Sequence, residues 1–254
     1  HQLGETMQLY FNRHGQSQNN AIWDENAYDA TRVSDPTLTS KGIQQAELLA
    51  EFLAQGNPSG QSGWMDPQNR AGFGLTHVYC SLMERAIQTG TIISDRLGIP
   101  LIAHKDMHEV GGIYLDRLVD DQPMVTIEHG HTPAYLQEHY PRLKLATPIE
   151  ENGWWLGGRE QRPRRISRAR RVIEFLKQQH GNTQDRVAVI THGAFFSYIF
   201  RVLFNLDVDY PGDRGLPYFI VHNNCGLTRM ELDASNVTLY YLNRTDFLPD
   251  DLIT

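Results

Sequence analysis

The chain contains 254 residues, 40% of them hydrophobic and 21% charged, which is typical of a globular protein with a substantial core. Its formal net charge of -7 disfavours non-specific binding to nucleic acid, and any anionic substrate must therefore meet a local positive site. No apolar run approaches the length of a membrane span, and residues 1–6 lack the apolar region of a signal peptide, so the sequence predicts a cytoplasmic protein without membrane contact.

Strands and helices alternate along the chain from Met7 onward. The apolar run 7–11 has the length and aromatic content of a buried strand, and the helix after the polar loop 21–36 has Thr39 as its N-cap. The remaining predicted strands are 75–80, 101–103, 187–190, 225–232 and 237–242. The remaining predicted helices are 81–97, 163–180 and 194–204. This alternation predicts one α/β domain, residues 7–254, built as a three-layer sandwich with a mostly parallel central sheet flanked by helices.

The stretch 105–158 interrupts the alternation. It is rich in His, Trp, Pro and Gly, shows no clear periodicity and is too long for a simple connection within a compact domain. Because such segments usually carry function, we predict that it forms an inserted cap over the ligand site. Trp154 and Trp155 then either line the pocket or anchor the cap by packing.

Histidines and arginines follow three of the predicted strands. Arg13-His14-Gly15 follows the first strand, Thr191-His192-Gly193 follows another, and Arg85 lies on the first turn of the helix after a third. Because the carboxyl ends of parallel strands meet at one edge of a sheet, we expect these side chains to converge there. An arginine fork binds phosphate oxygens and a histidine can take up a phosphoryl group, so this pattern predicts a phosphate site.

In order and spacing, these residues resemble the histidine phosphatase superfamily, in the branch that includes cofactor-dependent phosphoglycerate mutase and fructose-2,6-bisphosphatase. Residues 13–17 with Asn20 resemble the family's RHGES…N motif, and residues 38–46 resemble its LTxxGxxQA motif. The other matches are 81–89 with SxxxRAxQT, 108–112 with the acidic loop and 191–193 with the second histidine motif. Gln16 departs from the family's common Glu, a change that phosphatases of this branch tolerate.

The resemblance implies a role for each matched side chain. His14 is the implied nucleophile, which becomes phosphohistidine. The implied groups that bind the phosphoryl oxygens are Arg13, Asn20, Arg85, His192 and Gly193. Glu109 is the implied general acid, which protonates the leaving oxygen and then activates water. Asp106 is the second candidate for this acid and Glu128 is the third.

Three functions are compatible with these residues. The resemblance favours a phosphatase that acts on a small phosphorylated metabolite and releases inorganic phosphate, without a metal ion or an organic cofactor. Segment 21–37 does not resemble the mutase pattern, which disfavours phosphoryl transfer between positions of a sugar phosphate. A catalytically silent phospholigand-binding protein is disfavoured because both histidines and both arginines are present.

An arginine-rich run, residues 159–171, lies beside the predicted cap. One or two of its arginines are candidates for gripping a second anionic group of the substrate, and most are expected to form a solvated helix face. A nucleic-acid function for the run is disfavoured by the net charge and by the lack of a stacking module.

Residues that bind metals or form disulfides are few. Four histidines match no familiar metal-site spacing, namely His104, His108, His129 and His131. We therefore predict no metal site. Cys80 and Cys225 both lie in apolar, strand-like runs, so we expect two buried thiols rather than a disulfide.

Overall fold

A computed structural model describes residues 6–22, 31–56, 65–119, 122–206, 220–233 and 235–254. Its strands are β1 (Met7–Arg13), β2 (His77–Cys80), β3 (Leu101–Ala103), β4 (Tyr114–Val119), β5 (Gln122–Ile127), β6 (Lys144–Leu145), β7 (Arg186–Thr191), β8 (Leu227–Leu232) and β9 (Val237–Arg244). Its helices are α1 (Gln18–Ala21), α2 (Ser40–Leu53), α3 (Glu84–Leu97), α4 (Pro133–His139), α5 (Arg162–His180) and α6 (Gly193–Leu203). None of the helices within these ranges combines the length and the apolar character that a bilayer crossing requires.

The central sheet is mostly parallel, with an antiparallel pair at one edge. Among the described residues its strands follow the order β6-β3-β2-β7-β1-β8-β9, and β8 and β9 form the antiparallel part. β1 lies between β7 and β8, with Arg13 opposite Thr191. The architecture confirms the predicted α/β sandwich, and it places the carboxyl ends of β1, β2 and β7 at one edge of the sheet.

The two faces of the sheet bury alternate residues of the same strands. Tyr10 of β1 belongs to a core with Leu49 of α2 and Ile87 of α3. Its neighbours Leu9 and Phe11 point to the opposite face and belong to the core formed with α5 and α6. Helices thus cover both faces of the sheet, which produces the three layers.

Local signals set the ends of two helices as predicted. Thr39 caps α2, because its side chain accepts a hydrogen bond from the backbone N–H of Gly42 at 3.0 Å. Gly98 ends α3 in the left-handed conformation, with a φ of 68°, which glycine adopts without the steric cost of a Cβ. Cys80 and Cys225 are buried free thiols, which confirms that prediction as well.

The stretch 105–158 contains more regular structure than the sequence indicates. β4 and β5 pair as a separate antiparallel hairpin, and α4 follows them. β6 then pairs with β3 and extends the central sheet. The sequence shows no clear periodicity here because a short hairpin with a largely exposed second strand and a two-residue edge strand leave few apolar residues in a regular pattern. The role of this stretch as a cap stays a prediction.

Candidate active site

Two parallel strands end side by side and carry the two site histidines. His14 follows Arg13 of β1, and His192 follows Thr191, the partner of Arg13 in β7. Both rings are buried, and their centroids lie 5.1 Å apart. The structure therefore brings together two histidines that lie at opposite ends of the sequence.

His14 has a neutral ring with one nitrogen directed at an arginine. Its Nδ1 lies 2.7 Å from the carbonyl oxygen of Gly15, so Nδ1 carries the proton and Nε2 keeps its lone pair. Arg85 donates a hydrogen bond from Nε to this Nε2 at 3.1 Å. Burial, and after it the charges of Arg85 and Arg13, lower the pKa of His14 well below its ordinary value. The ring is thus uncharged at neutral pH, and the lone pair of its Nε2 faces the arginine.

Ser81 orients His192. This serine begins the matched motif 81–89, but the sequence alone indicates no role for it. Ser81 Oγ accepts a hydrogen bond from the Met83 N–H at 3.1 Å and donates its own proton to His192 Nε2 at 2.9 Å. The ring proton is then on Nδ1, which is buried without a hydrogen-bond partner among the described residues. Burial, followed by the charge of Arg85, lowers the pKa of His192 well below its ordinary value. His192 therefore keeps a neutral N–H donor that is free of protein partners among the described residues.

Two guanidinium groups supply the positive charge of the site, that of the buried Arg85 and that of the partly buried Arg13. Arg13 donates from Nη1 to the carbonyl oxygen of His222 at 2.8 Å, which anchors its side chain. Gly193 lies against it, since a Cβ added to Gly193 would sit 3.5 Å from Arg13 Nε. Arg85 lies with its Nη1 3.6 Å from Asp35 Oδ1. An acidic protein thereby gains the local positive field that an anionic substrate requires.

Glu109 sits at the N-terminus of α6, next to the second histidine motif. Its carboxylate accepts hydrogen bonds from the backbone N–H groups of Phe195 at 2.8 Å and Ala194 at 3.3 Å. It also lies close enough to Arg13 and Arg85 to oppose the lowering of both pKa values by burial. The carboxylate is therefore within electrostatic range of the two site arginines.

The other two acid candidates have different partners. Asp106 Oδ2 lies 2.9 Å from Arg171 Nε in a partly exposed ion pair. Glu128 is exposed and accepts a hydrogen bond from the hydroxyl of Ser34. Of these three candidates for the acid, Glu109 is the one whose charge acts on both site arginines.

Asn20 is linked to the backbone of His14 through a second asparagine. Its Oδ1 accepts hydrogen bonds from the Ser17 N–H and from Asn224 Nδ2, both at 3.2 Å. The same Asn224 Nδ2 donates to the carbonyl oxygen of His14 at 2.9 Å. Sequence reasoning missed Asn224, which belongs to no recognised motif and reaches His14 only in the folded chain.

Two glycines from different motifs meet beside His14. A Cβ on Gly15 would lie 2.4 Å from the carbonyl oxygen of Gly42, and a Cβ on Gly42 would lie 2.1 Å from that of Gln16. Thr89 holds the same loop, because its Oγ1 accepts the Gly15 N–H at 3.0 Å. The backbone after His14 is thus packed directly on the first turn of α2.

A cluster of charged side chains, absent from the sequence prediction, lies behind Arg85. His131 Nε2 lies 2.6 Å from Glu84 Oε2 and 3.7 Å from Asp35 Oδ2, and its ring stacks on Tyr135. Burial opposes a charge on His131, but the hydrogen bond to Glu84 and the charge of Asp35 outweigh it and raise the pKa of the ring. The cluster therefore places the carboxyl groups of Asp35 and Glu84 next to His131, with Arg85 on the other side of Asp35.

Asp35 is expected to make folding stability depend on pH. Burial raises its pKa from 3.8 to about 6, although the charges of Arg85 and His131 oppose the shift. The folded protein then binds more protons than the unfolded chain from about pH 4 to pH 6, so the contribution of Asp35 to the free energy of unfolding falls by about 3 kcal/mol as pH rises through this range. Urea unfolding between about pH 4 and pH 6 should show that stability falls less, or rises more, with pH in Asp35→Asn than in the exposed control Asp95→Asn. Equal slopes in the two variants would rule this out.

Arg168 is the member of the arginine run that holds the acidic loop. Its Nε and Nη2 donate to the two carboxylate oxygens of Glu160 at 2.6 and 2.7 Å. Its Nη1 donates to the carbonyl oxygens of Asp106 and His108 at 2.8 and 2.7 Å. Arg168 is buried, so it is neither a solvated surface charge nor a grip for substrate.

Replacing Arg168 with alanine is expected to destabilise the protein by about 3–5 kcal/mol, because the buried Glu160 would lose its two hydrogen bonds from Arg168 and keep the longer contact with Arg165, at 4.0 Å. The loop that carries Glu109 would also lose two anchors. Chemical unfolding of the variant measures the effect, and Arg164→Ala, at an exposed position of the same helix, is the control. A loss below about 1 kcal/mol, the size of a surface pair, would contradict the assignment.

His104 and His108, two of the four histidines without metal-site spacing, contact other groups of the protein. His108 packs its ring against Trp154 and Trp155, at centroid distances of 5.6 and 4.7 Å, so the two tryptophans lie beside the acidic loop. His104 accepts a hydrogen bond from the Asp106 N–H at 3.1 Å. His129 is exposed. These contacts favour the packing interpretation of the tryptophan pair.

Comparison with known proteins shows a similarity that covers nearly the whole chain and not only the short motifs. Residues 9–245 match the histidine phosphatase superfamily (branch 1). The chain is 24% identical over 239 residues to the "Putative phosphoserine phosphatase 2" of Hydrogenobacter thermophilus, covering 93% of this chain and 95% of that protein.

Solved structures of similar fold include a phosphatase and a mutase. The Entamoeba histolytica phosphoserine phosphatase in complex with 3-phosphoglyceric acid has a TM-score of 0.52 at 16% identity, covering 96% of this chain and 100% of that one. The phosphoglycerate mutase of Bacillus anthracis has a TM-score of 0.55 at 14% identity, covering 96% of both chains. At these identities the likeness shows a shared fold. Together with the match over residues 9–245, it establishes that the chain belongs to the histidine phosphatase superfamily, branch 1.

Proposed function

We propose that the chain is a cytoplasmic phosphatase that hydrolyses small phosphomonoesters through a covalent phosphohistidine at His14, without a metal ion or an organic cofactor. The observation that carries the proposal is the buried, neutral His14 ring with its Nε2 against Arg85. Arg13 and His192 complete a set of donors around that nitrogen, and such a set suits an anionic phosphoryl group.

In the first proposed step, the lone pair of His14 Nε2 attacks phosphorus while the bond from phosphorus to the ester oxygen breaks. Glu109 gives its proton to that oxygen, and the alcohol leaves. In the second step a water oxygen attacks phosphorus, Glu109 takes the water proton, and the bond from nitrogen to phosphorus breaks to release inorganic phosphate. Arg13, Arg85 and the Nδ1–H of His192 stabilise the phosphoryl oxygens in both steps.

The relatives guide the choice of substrate. One is named for phosphoserine, and the Entamoeba structure holds 3-phosphoglyceric acid. Both compounds are small phosphorylated carboxylic acids. We therefore propose phosphoserine and 3-phosphoglycerate as the first natural compounds to assay.

The test is hydrolysis of a generic aryl phosphate by the wild-type protein from about pH 4 to pH 8 with excess EDTA. We expect phosphate release that EDTA leaves unchanged, together with a phosphohistidine on the peptide that contains His14 after rapid alkaline quenching. Mass spectrometry identifies that adduct. Phosphate release without any adduct on His14, or release that EDTA abolishes, would contradict the proposal.

A mutase would give a different result in the same experiment. It would release little phosphate, and it would interconvert phosphoglycerates only after addition of a bisphosphate primer. A silent phospholigand-binding protein would bind phosphate but show neither activity.

A further inference from the structure

A second cluster of polar side chains lies at the opposite edge of the sheet from His14. His77 begins β2, His180 ends α5, and Asp185 directly precedes β7. Because β2 and β7 run parallel, their first residues lie at the amino edge, whereas the phosphate site lies at the carboxyl edge. The cluster therefore has no part in the reaction proposed above.

The three side chains are close enough to share an ion. His180 Nδ1 lies 2.8 Å from Asp185 Oδ2, and His77 Nδ1 lies 3.9 Å from the same oxygen. One ligand atom from each residue lies within 4.8 Å of the others. Zinc bonds of roughly 2.0–2.2 Å in tetrahedral geometry place ligand atoms roughly 3.4 Å apart, so small side-chain movements suffice.

We propose that His77, His180 and Asp185 form a site for a divalent transition-metal ion, with Zn²⁺ as the best match. Two imidazoles and a carboxylate are the ligand types that zinc accepts, and three protein ligands leave the fourth position for water. The side chains of His77 and Asp185 are 36% and 26% exposed, so an ion can enter from solvent.

Tyr79 supplies the outer partner that a zinc-binding histidine needs. Its buried hydroxyl lies 3.1 Å from His180 Nε2, the nitrogen that faces away from Asp185. Without an ion, His180 donates from Nδ1 to Asp185 and accepts from the Tyr79 hydroxyl at Nε2. With an ion, the ring proton moves to Nε2 and is donated to the Tyr79 oxygen, which frees the Nδ1 lone pair for the metal.

One polar contact of the proposed ligands would have to give way to the ion. The hydroxyl of Thr76, 2.9 Å from His77 Nδ1, is the partner that the ion would replace.

An ion at this place would join the end of α5 to the starts of two central strands. Zinc would then stabilise the fold without entering catalysis. The sequence gives no sign of the site, because His77 lies far from the other two residues in the chain and their spacing matches no zinc motif.

Zinc titration of the chelator-treated full-length protein near neutral pH tests the proposal by calorimetry. We expect one ion per chain and a higher midpoint of thermal unfolding with zinc. His77→Ala and Asp185→Asn should each weaken binding at least tenfold, whereas the exposed control His129→Ala should bind as the wild type does. Wild-type affinity no greater than that of His77→Ala would overturn the proposal.

Cobalt substitution keeps the test informative if a variant fails to fold. Co²⁺ bound to the wild-type protein should show the intense visible absorption of tetrahedral coordination, and added Zn²⁺ should remove it by competition. A spectrum typical of octahedral aquo cobalt would contradict the site. Removal of zinc should lower the thermal midpoint and leave aryl phosphate hydrolysis unchanged, so failure of this inference is distinguishable from failure of the proposed phosphatase activity.

Discussion

Replacing His14 with alanine is expected to lower kcat for aryl phosphate hydrolysis by at least about 10⁴-fold, as removal of a nucleophile does in other covalent mechanisms. The reason is that Nε2 of His14 is the atom that would hold the phosphoryl group, and it already lies 3.1 Å from the Nε of Arg85. His192 cannot replace it, because the lone pair on its own Nε2 is taken by Ser81. Steady-state release of phosphate measures the loss.

The same variant should still bind inorganic phosphate, because Arg13, Arg85 and His192 remain in place. Calorimetric titration with phosphate therefore separates a lost nucleophile from a collapsed site. His139→Ala, at an exposed histidine outside the site, is the matched control and should keep wild-type turnover. Activity in His14→Ala within about 100-fold of wild type would refute the phosphohistidine route.

Replacing Arg85 with lysine is expected to lower kcat/KM by about 10²–10³-fold, the usual cost of one preorganised donor to a transition state. Lysine keeps the positive charge but lacks the planar fork, so it cannot face both His14 and Asp35 at once. Initial rates with aryl phosphate at low substrate concentration give the ratio directly.

The loss of Arg85 should also change the titration of Asp35. The guanidinium opposes the rise in the pKa of this carboxyl, so a lysine placed farther away should let that pKa rise above about 6. A ¹³C-detected titration of Asp35 would show the change. Arg164→Lys is the conservative control at an exposed position, and an Arg85→Lys variant with the same kcat/KM as this control would exclude Arg85 from the site.

The strand ends and the main site residues follow from the sequence because they carry local signals. An apolar run that breaks into Arg13-His14-Gly15 places a strand and its end at once, and the same holds for Thr191-His192-Gly193. Thr39 and Gly98 likewise mark helix ends through contacts within a few residues of themselves. Parallel pairing then brings the strand ends to one edge of the sheet, which is a general property of such sheets.

The supporting contacts do not follow from the sequence because they join distant parts of the chain. Asn224 meets His14 across most of the chain length, and His131, just before α4, meets Glu84 at the start of α3. Neither residue lies in a periodic pattern or a motif. β6 is short enough that only its pairing with β3 makes it a strand.

The contact between Gly15 and Gly42 changes how a mutational scan of this protein should be interpreted. Alanine at Gly42 would push its new methyl group into the backbone carbonyl of Gln16, two residues after the nucleophile. Activity would then fall at a position that has no side chain and touches no substrate. A scan that measures only activity would classify Gly42 as a catalytic residue. Its contribution is instead the space that the missing Cβ leaves for the backbone of Gln16.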